Sequence, residues 1–90
     1  MKERYLEVTY YKGRLLAAYL YLPRKQGDRS VRVDEFARGI VVDLTEDGRP
    51  IGVELTSPGE VTLQQVNAAL EKYGIQALLE DEFSPLHQAA

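Results

Sequence analysis

The sequence predicts an α+β domain in which an antiparallel β-sheet of about five strands, arranged in hairpins, is followed by one α-helix. Three observations support this prediction. Short apolar runs alternate with polar residues up to Leu55, glycine-containing segments separate those runs, and the apolar period becomes helical after Ser57. Residues 1–79 are expected to form a single α+β domain, and residues 80–90 a loosely ordered C-terminal tail.

The first two predicted strands form a hairpin. Residues 5–11 alternate in polarity, whereas residues 15–22 are apolar on both faces, as in a strand that is buried on both sides. Gly13 lies between them and can adopt the positive φ of a return turn. Side chains alternate across a strand, so three tyrosines are expected on one face of the sheet: Tyr5, Tyr19 and Tyr21. Aliphatic residues are expected on the other face: Leu16, Ala18, Leu20 and Leu22.

A second hairpin is predicted around Asp47 and Gly48. Residues 23–30 are polar and predict a loop, and residues 31–36 resume strand alternation. The Asp-Gly pair then separates the alternating runs 40–44 and 51–55, and the glycine can occupy the left-handed region that the turn requires.

The helix is predicted from about Leu63 to Tyr73. Thr62 followed three residues later by Gln65 is a capping-box pattern, and Gly74 lies where a left-handed residue ends a helix. Apolar residues recur on one helical face, which is expected to pack on the sheet.

The segment from Gly39 to Leu55, GIVVDLTEDGRPIGVEL, resembles the signature hairpin of a prokaryotic family catalogued as domain of unknown function 2283. The hairpin around Tyr5 to Tyr21 is similar to the first strand pair of that family. The resemblance implies a small antiparallel β module with no established activity, and it suggests an antitoxin-like or partner-binding role. The basic turn at residues 11–14 differs from the acidic turn usual in the family, and the helix after Thr62 lies outside the family core.

Composition makes several classes of function unfavourable. The formal net charge is −3, and the basic residues between Arg24 and Arg38 are interleaved with acidic ones, so nucleic-acid binding through this segment is only a third, disfavoured alternative. The chain has no cysteine and no apolar run of membrane-spanning length, from which we expect a cytoplasmic protein without a membrane partner.

No catalytic, cofactor-binding or metal site is predicted. Five residues occupy positions of a calcium-loop template, but their flanks alternate like strands, and a hairpin is expected instead: Asp43, Thr45, Asp47, Gly48 and Glu54. The single histidine, His87, has no second ligand nearby in the sequence. Asp43 and Glu54 could lie close together on the outward face, where charged residues usually serve solubility.

We therefore expect an uncharacterised non-enzymatic interaction module that forms a homodimer or binds a small protein partner. Tyr5, Tyr19 and Tyr21 are the interface candidates, since one helix cannot cover both faces of the sheet. The tyrosines could instead cover an ordinary sheet edge or core. The alternative function is a small-molecule-binding or weakly enzymatic domain with a pocket between helix and sheet.

Overall fold

The computed structural model of the protein describes residues 3–88, with side chains described as far as Leu86. One antiparallel sheet contains five strands: β1 (Tyr5–Tyr11), β2 (Arg14–Tyr21), β3 (Arg32–Ala37), β4 (Ile40–Leu44) and β5 (Pro50–Leu55). The strand order is β1-β2-β5-β4-β3, so the β1–β2 hairpin joins the β3–β4–β5 meander through β2 and β5. The predicted α+β class with a five-stranded antiparallel sheet is confirmed.

Positive φ angles occur in all three turns that join paired consecutive strands, including Gly39 of the β3–β4 turn, with a φ of 82°. Lys12 and Gly13 have φ angles of 50° and 77°, the paired positive values that suit a tight β1–β2 connection. In the β4–β5 turn Gly48 has a φ of 87°, and its N–H donates to the Thr45 carbonyl at 2.9 Å. The buried hydroxyl of Thr45, the first residue of the turn, donates to the Asp47 carboxylate and so stabilises the turn.

Two helices pack on the inner face of the sheet. A 3-10 turn at Pro58–Glu60 leads to α1 (Leu63–Lys72), and α2 (Glu80–Gln88) follows. The predicted capping box is present, since the Thr62 hydroxyl accepts from the Gln65 N–H and the Gln65 side chain accepts from the Thr62 N–H. Buried apolar side chains fill the space between helices and strands: Ala18, Leu20, Leu22, Ile40, Val42, Val53, Leu55, Val66, Ala69, Leu70, Leu78, Phe83 and Leu86.

The prediction of one helix followed by a loose tail is wrong for residues 80–88, which form α2. Phe83 is fully buried and Leu86 is 2% exposed, so this helix completes the core. The Arg4 guanidinium donates two hydrogen bonds of 3.0 Å to the Glu82 carboxylate and one of 2.9 Å to the Ala77 carbonyl. Burial and this long-range ion pair order a segment whose local sequence is polar.

Pro85 lies inside α2 without ending it. Proline has no N–H to donate to the carbonyl of Asp81, which would otherwise lose its helical partner. The Ser84 hydroxyl donates to that carbonyl at 3.0 Å instead. Neither α1 nor α2 has the length and apolar character required to cross a membrane, and residues 3–88 contain no other helix that has them.

Candidate functional site

Neither described helix packs on the outer face of the sheet. Strand register brings its side chains into two rows that run across all five strands. The first row consists of Tyr5, Tyr21, Gly52, Asp43 and Val33. The second row consists of Glu7, Tyr19, Glu54, Val41 and Glu35. We call these ten residues the tyrosine face.

The three tyrosines of this face form one aromatic cluster. The rings of Tyr5 and Tyr21 are stacked, with centroids 4.6 Å apart and an interplanar angle of 18°. The Tyr19 ring meets Tyr21 edge-on, at 4.7 Å and 66°. Both geometries are favourable for aromatic pairs and contribute about 0.5–1.5 kcal/mol each beyond burial. The structure therefore brings together all three interface candidates.

Tyr19 lies diagonally across the middle of the sheet. Its ring covers Gly52 on β5, where a Cβ atom would overlap the phenol. The hydroxyl donates to the Asp43 carboxylate on β4 at 2.6 Å, a short charge-assisted hydrogen bond. A glycine inside a strand often marks such a close approach, and Gly52 is the sequence signal that could have located it.

The same contacts determine the proton affinity of the phenols. Burial of Tyr19 and its hydrogen bond to Asp43 raise the pKa of the Tyr19 hydroxyl far above its ordinary value of 10.0. The negative charge of Glu7 raises the pKa of Tyr21, whose hydroxyl lies 3.3 Å from the Glu7 carboxylate. Both phenols therefore keep their protons at neutral pH.

One arginine already binds to this cluster. Arg24, in the loop after β2, donates to the Ile51 carbonyl at 3.2 Å and to the Tyr19 hydroxyl at 3.3 Å. Its guanidinium carbon lies 5.4 Å from the centroid of the Tyr21 ring, within the range of a cation–π interaction. Arg24 was not predicted to contact the tyrosines, because no local pattern links residues on a loop and a strand.

The aliphatic residues expected on the inner face do not all lie there. Ala18, Leu20 and Leu22 are buried on the inner face, but Leu16 is 56% exposed. The register of β1 and β2 shifts between Thr9 and Tyr10, so that Leu16 has no paired residue on β1. A bulge of this kind turns the side chain away from its regular position, which the simple alternation of residues did not reveal.

The calcium-like residues are distributed over a hairpin. Asp43 accepts from Tyr19, Asp47 accepts from Thr45, and Glu54 lies on the tyrosine face. Among the side chains described, up to Leu86, no group of three acidic or histidine side chains is arranged to hold a metal ion. The side chain of His87 lies outside the described residues.

A surface depression of about 420 Å³ lies between the β2–β3 loop and the β4–β5 turn. Arg49 and Asp28 line it and are paired by two hydrogen bonds of 2.7 Å. This ion pair holds the pKa of the Asp28 carboxyl well below its ordinary value. Its lining contains no helix residue, so this depression is not the pocket between helix and sheet that the alternative function requires. A second depression, of about 380 Å³, lies between the β3–β4 turn and the start of α1.

A comparison with protein families gives a match in the central part of the chain. The profile of the family described as Protein of unknown function (DUF2283) matches residues 17–57. The match confirms the resemblance for the segment from Gly39 to Leu55, whereas the similarity of residues 5–16 to the first strand pair of the family stays a prediction. The match begins at Ala17 within β2 and extends through β5, including Tyr19, Tyr21, Asp43 and Gly52, whereas β1, the start of β2 and both helices lie outside it. No curated protein and no solved structure gave a significant match.

Proposed function

We propose that the protein is a non-enzymatic interaction module whose tyrosine face binds another protein chain. The partner is a second copy of the chain or a small protein, and an antitoxin-like role is the form that the family resemblance suggests. The observation that supports the proposal is the stacked pair of Tyr5 and Tyr21 on a sheet face that neither helix covers. Tyr5 remains 50% exposed, so its ring is available to a partner.

The rigidity of the cluster favours binding. Tyr19 is held by Asp43 and by Gly52, and Tyr21 is held between the two other rings. A tyrosine that is already fixed loses little conformational entropy when a partner covers it. Aromatic residues of this kind commonly contribute about 2 kcal/mol or more each at the centre of an interface.

The chemistry of the face favours binding over catalysis. The Tyr19 phenol is held protonated, and Asp43 accepts its hydrogen bond. The core between helices and sheet, where the alternative function would need a pocket, is filled with buried apolar side chains. A depression of about 380 Å³ at its edge, lined by Gly39, Thr56 and Gln65, is the place where the alternative function would have to act.

The test removes the exposed rings and leaves Tyr19 in place. We expect the double variant Tyr5→Ser, Tyr21→Ser to lose self-association or the retention of a specific partner from native lysate. The matched control is Tyr10→Ser, Tyr11→Ser, which removes two tyrosines that are 51% and 60% exposed near the hairpin tip. Light scattering over a dilution series measures self-association, and mass spectrometry compares the chains that each variant retains.

Circular dichroism must show that both double variants are folded. Removing two anchors of about 2 kcal/mol each weakens binding by roughly a thousandfold. If the wild type is a monomer at every concentration and retains the same chains as the Tyr5, Tyr21 variant, the proposal is wrong.

A further inference from the structure

The tyrosine face is acidic as well as aromatic. In its second row, exposed glutamates occupy every other strand: Glu7 on β1, Glu54 on β5 and Glu35 on β3. Neighbouring strands lie about 4.8 Å apart, so successive glutamates are separated by about 10 Å. Tyr19 and Val41 lie between them, and neither row contains a basic residue.

The glutamates are largely unpaired within the described part of the chain. Glu35 and Glu54 have no salt bridge and no side-chain hydrogen bond among residues 3–86, and Glu7 accepts only the Tyr21 hydroxyl. Three carboxylates outside this face are paired with a cation: Asp28, Asp34 and Glu82. The open face thus presents negative charge that the fold itself does not neutralise.

Arg24 shows which chemistry the face accepts. Its guanidinium lies against the Tyr21 ring and donates to the Tyr19 hydroxyl, so this surface already holds one arginine by cation–π and hydrogen-bond contacts. An arginine from a partner would find the same two kinds of contact at Tyr5 and the glutamates.

We infer that the tyrosine face binds a basic protein surface, which places arginine or lysine side chains over its glutamates and tyrosines. The inference rests on the proposed function and specifies that the protein partner carries a positively charged surface. A second copy placed face to face with the second rows aligned would bring glutamates of one copy close to glutamates of the other. Buried like charges oppose such a complex, so charge complementarity favours a basic partner over a homodimer at this face.

The probe is a fluorescently labelled oligo-arginine peptide of about ten residues, which in extended form is longer than the width of a five-stranded sheet. Anisotropy titration gives its Kd for the wild type. The face variant is Glu7→Gln, Glu35→Gln, Glu54→Gln, which keeps the size and acceptor oxygen of each side chain. The control variant is Glu60→Gln, Glu71→Gln, Glu80→Gln, which removes three exposed carboxylates elsewhere. Both raise the formal net charge of −3 by three.

We expect the face variant to bind the peptide at least about tenfold more weakly, and the control variant to stay within about twofold of the wild type. The affinity should also fall as salt is added, because exposed ion pairs are screened. The variant Tyr5→Ser, Tyr21→Ser should weaken binding while leaving the charge of the protein unchanged.

Three results would overturn the inference. Equal losses in both triple variants would mean that the peptide responds only to net charge. Failure of the wild type to bind the peptide would exclude the basic partner. Self-association of the wild type that depends on Tyr5 and Tyr21 would identify a second copy as the occupant. In the last case the proposed function stands while the inference fails. If no association of the protein depends on Tyr5 and Tyr21, both the proposed function and the inference are wrong.

Discussion

The packing of Tyr19 across Gly52 predicts that Gly52→Ala is destabilising only while the tyrosine is present. Gly52 is buried, and its backbone is not in the left-handed region, so alanine can adopt its conformation. The new methyl group would overlap the end of the Tyr19 side chain. The ring must move aside, and the phenol then loses its hydrogen bond to Asp43.

The expected magnitude follows from these contacts. A hydrogen bond to a charged group contributes about 1.5–3 kcal/mol, and part of this returns when water solvates the displaced groups. We therefore expect Gly52→Ala to lower the free energy of unfolding by about 1–3 kcal/mol. In a Tyr19→Ala background the overlap is absent, and alanine in a strand is about 0.5–1 kcal/mol more favourable than glycine. The substitution should then change sign and become stabilising.

Urea denaturation followed by far-UV circular dichroism measures all four proteins of this double-mutant cycle. Gly59→Ala is the control, since nothing lies within 4 Å of a Cβ at that position. A coupling free energy near zero, with Gly52→Ala equally destabilising in both backgrounds, would refute the reasoning. Tyr19 would then be a surface ring that rests on the sheet without determining the residue beneath it.

Two further predictions concern the C-terminal helix and the acid stability of the fold. Phe83→Ala should destabilise the protein by about 3–5 kcal/mol because its ring is fully buried, whereas Leu79→Ala, at a position that is 65% exposed, should have little effect. Thermal melts compare the two variants. Equally small decreases in melting temperature would mean that α2 is not part of the core. The Asp28 pKa is lowered from its ordinary value of 3.8 because Arg49 donates hydrogen bonds to the carboxylate. The ion pair therefore stabilises the fold fully above pH 3.8, and this stabilisation is lost as the pH falls below that value. Asp28→Asn should therefore flatten the decline of stability with pH in this acid range, and a slope equal to that of the wild type would contradict the role of the pair.

Local signals in the sequence were sufficient for most of the secondary structure. The positive φ of Gly48, the capping box of Thr62 and Gln65, and the alternation of β1 each depend on residues a few positions apart. Alternation of side chains along β1 and β2 was also enough to predict that Tyr5, Tyr19 and Tyr21 share a face. Such features are predictable because short stretches of chain have few favourable backbone conformations.

The tertiary structure decided what surrounds those tyrosines. The hydrogen bond from Tyr19 to Asp43 requires β5 to lie between β2 and β4, and only at that position can Gly52 leave room for the ring. Helix α2 was missed for the same reason. Its acidic, proline-containing segment is stabilised by the burial of Phe83 and by the pairing of Glu82 with Arg4, which is 78 residues away in the chain. Contacts between distant residues leave no periodic mark on the sequence, because their energy depends on the fold that brings them together.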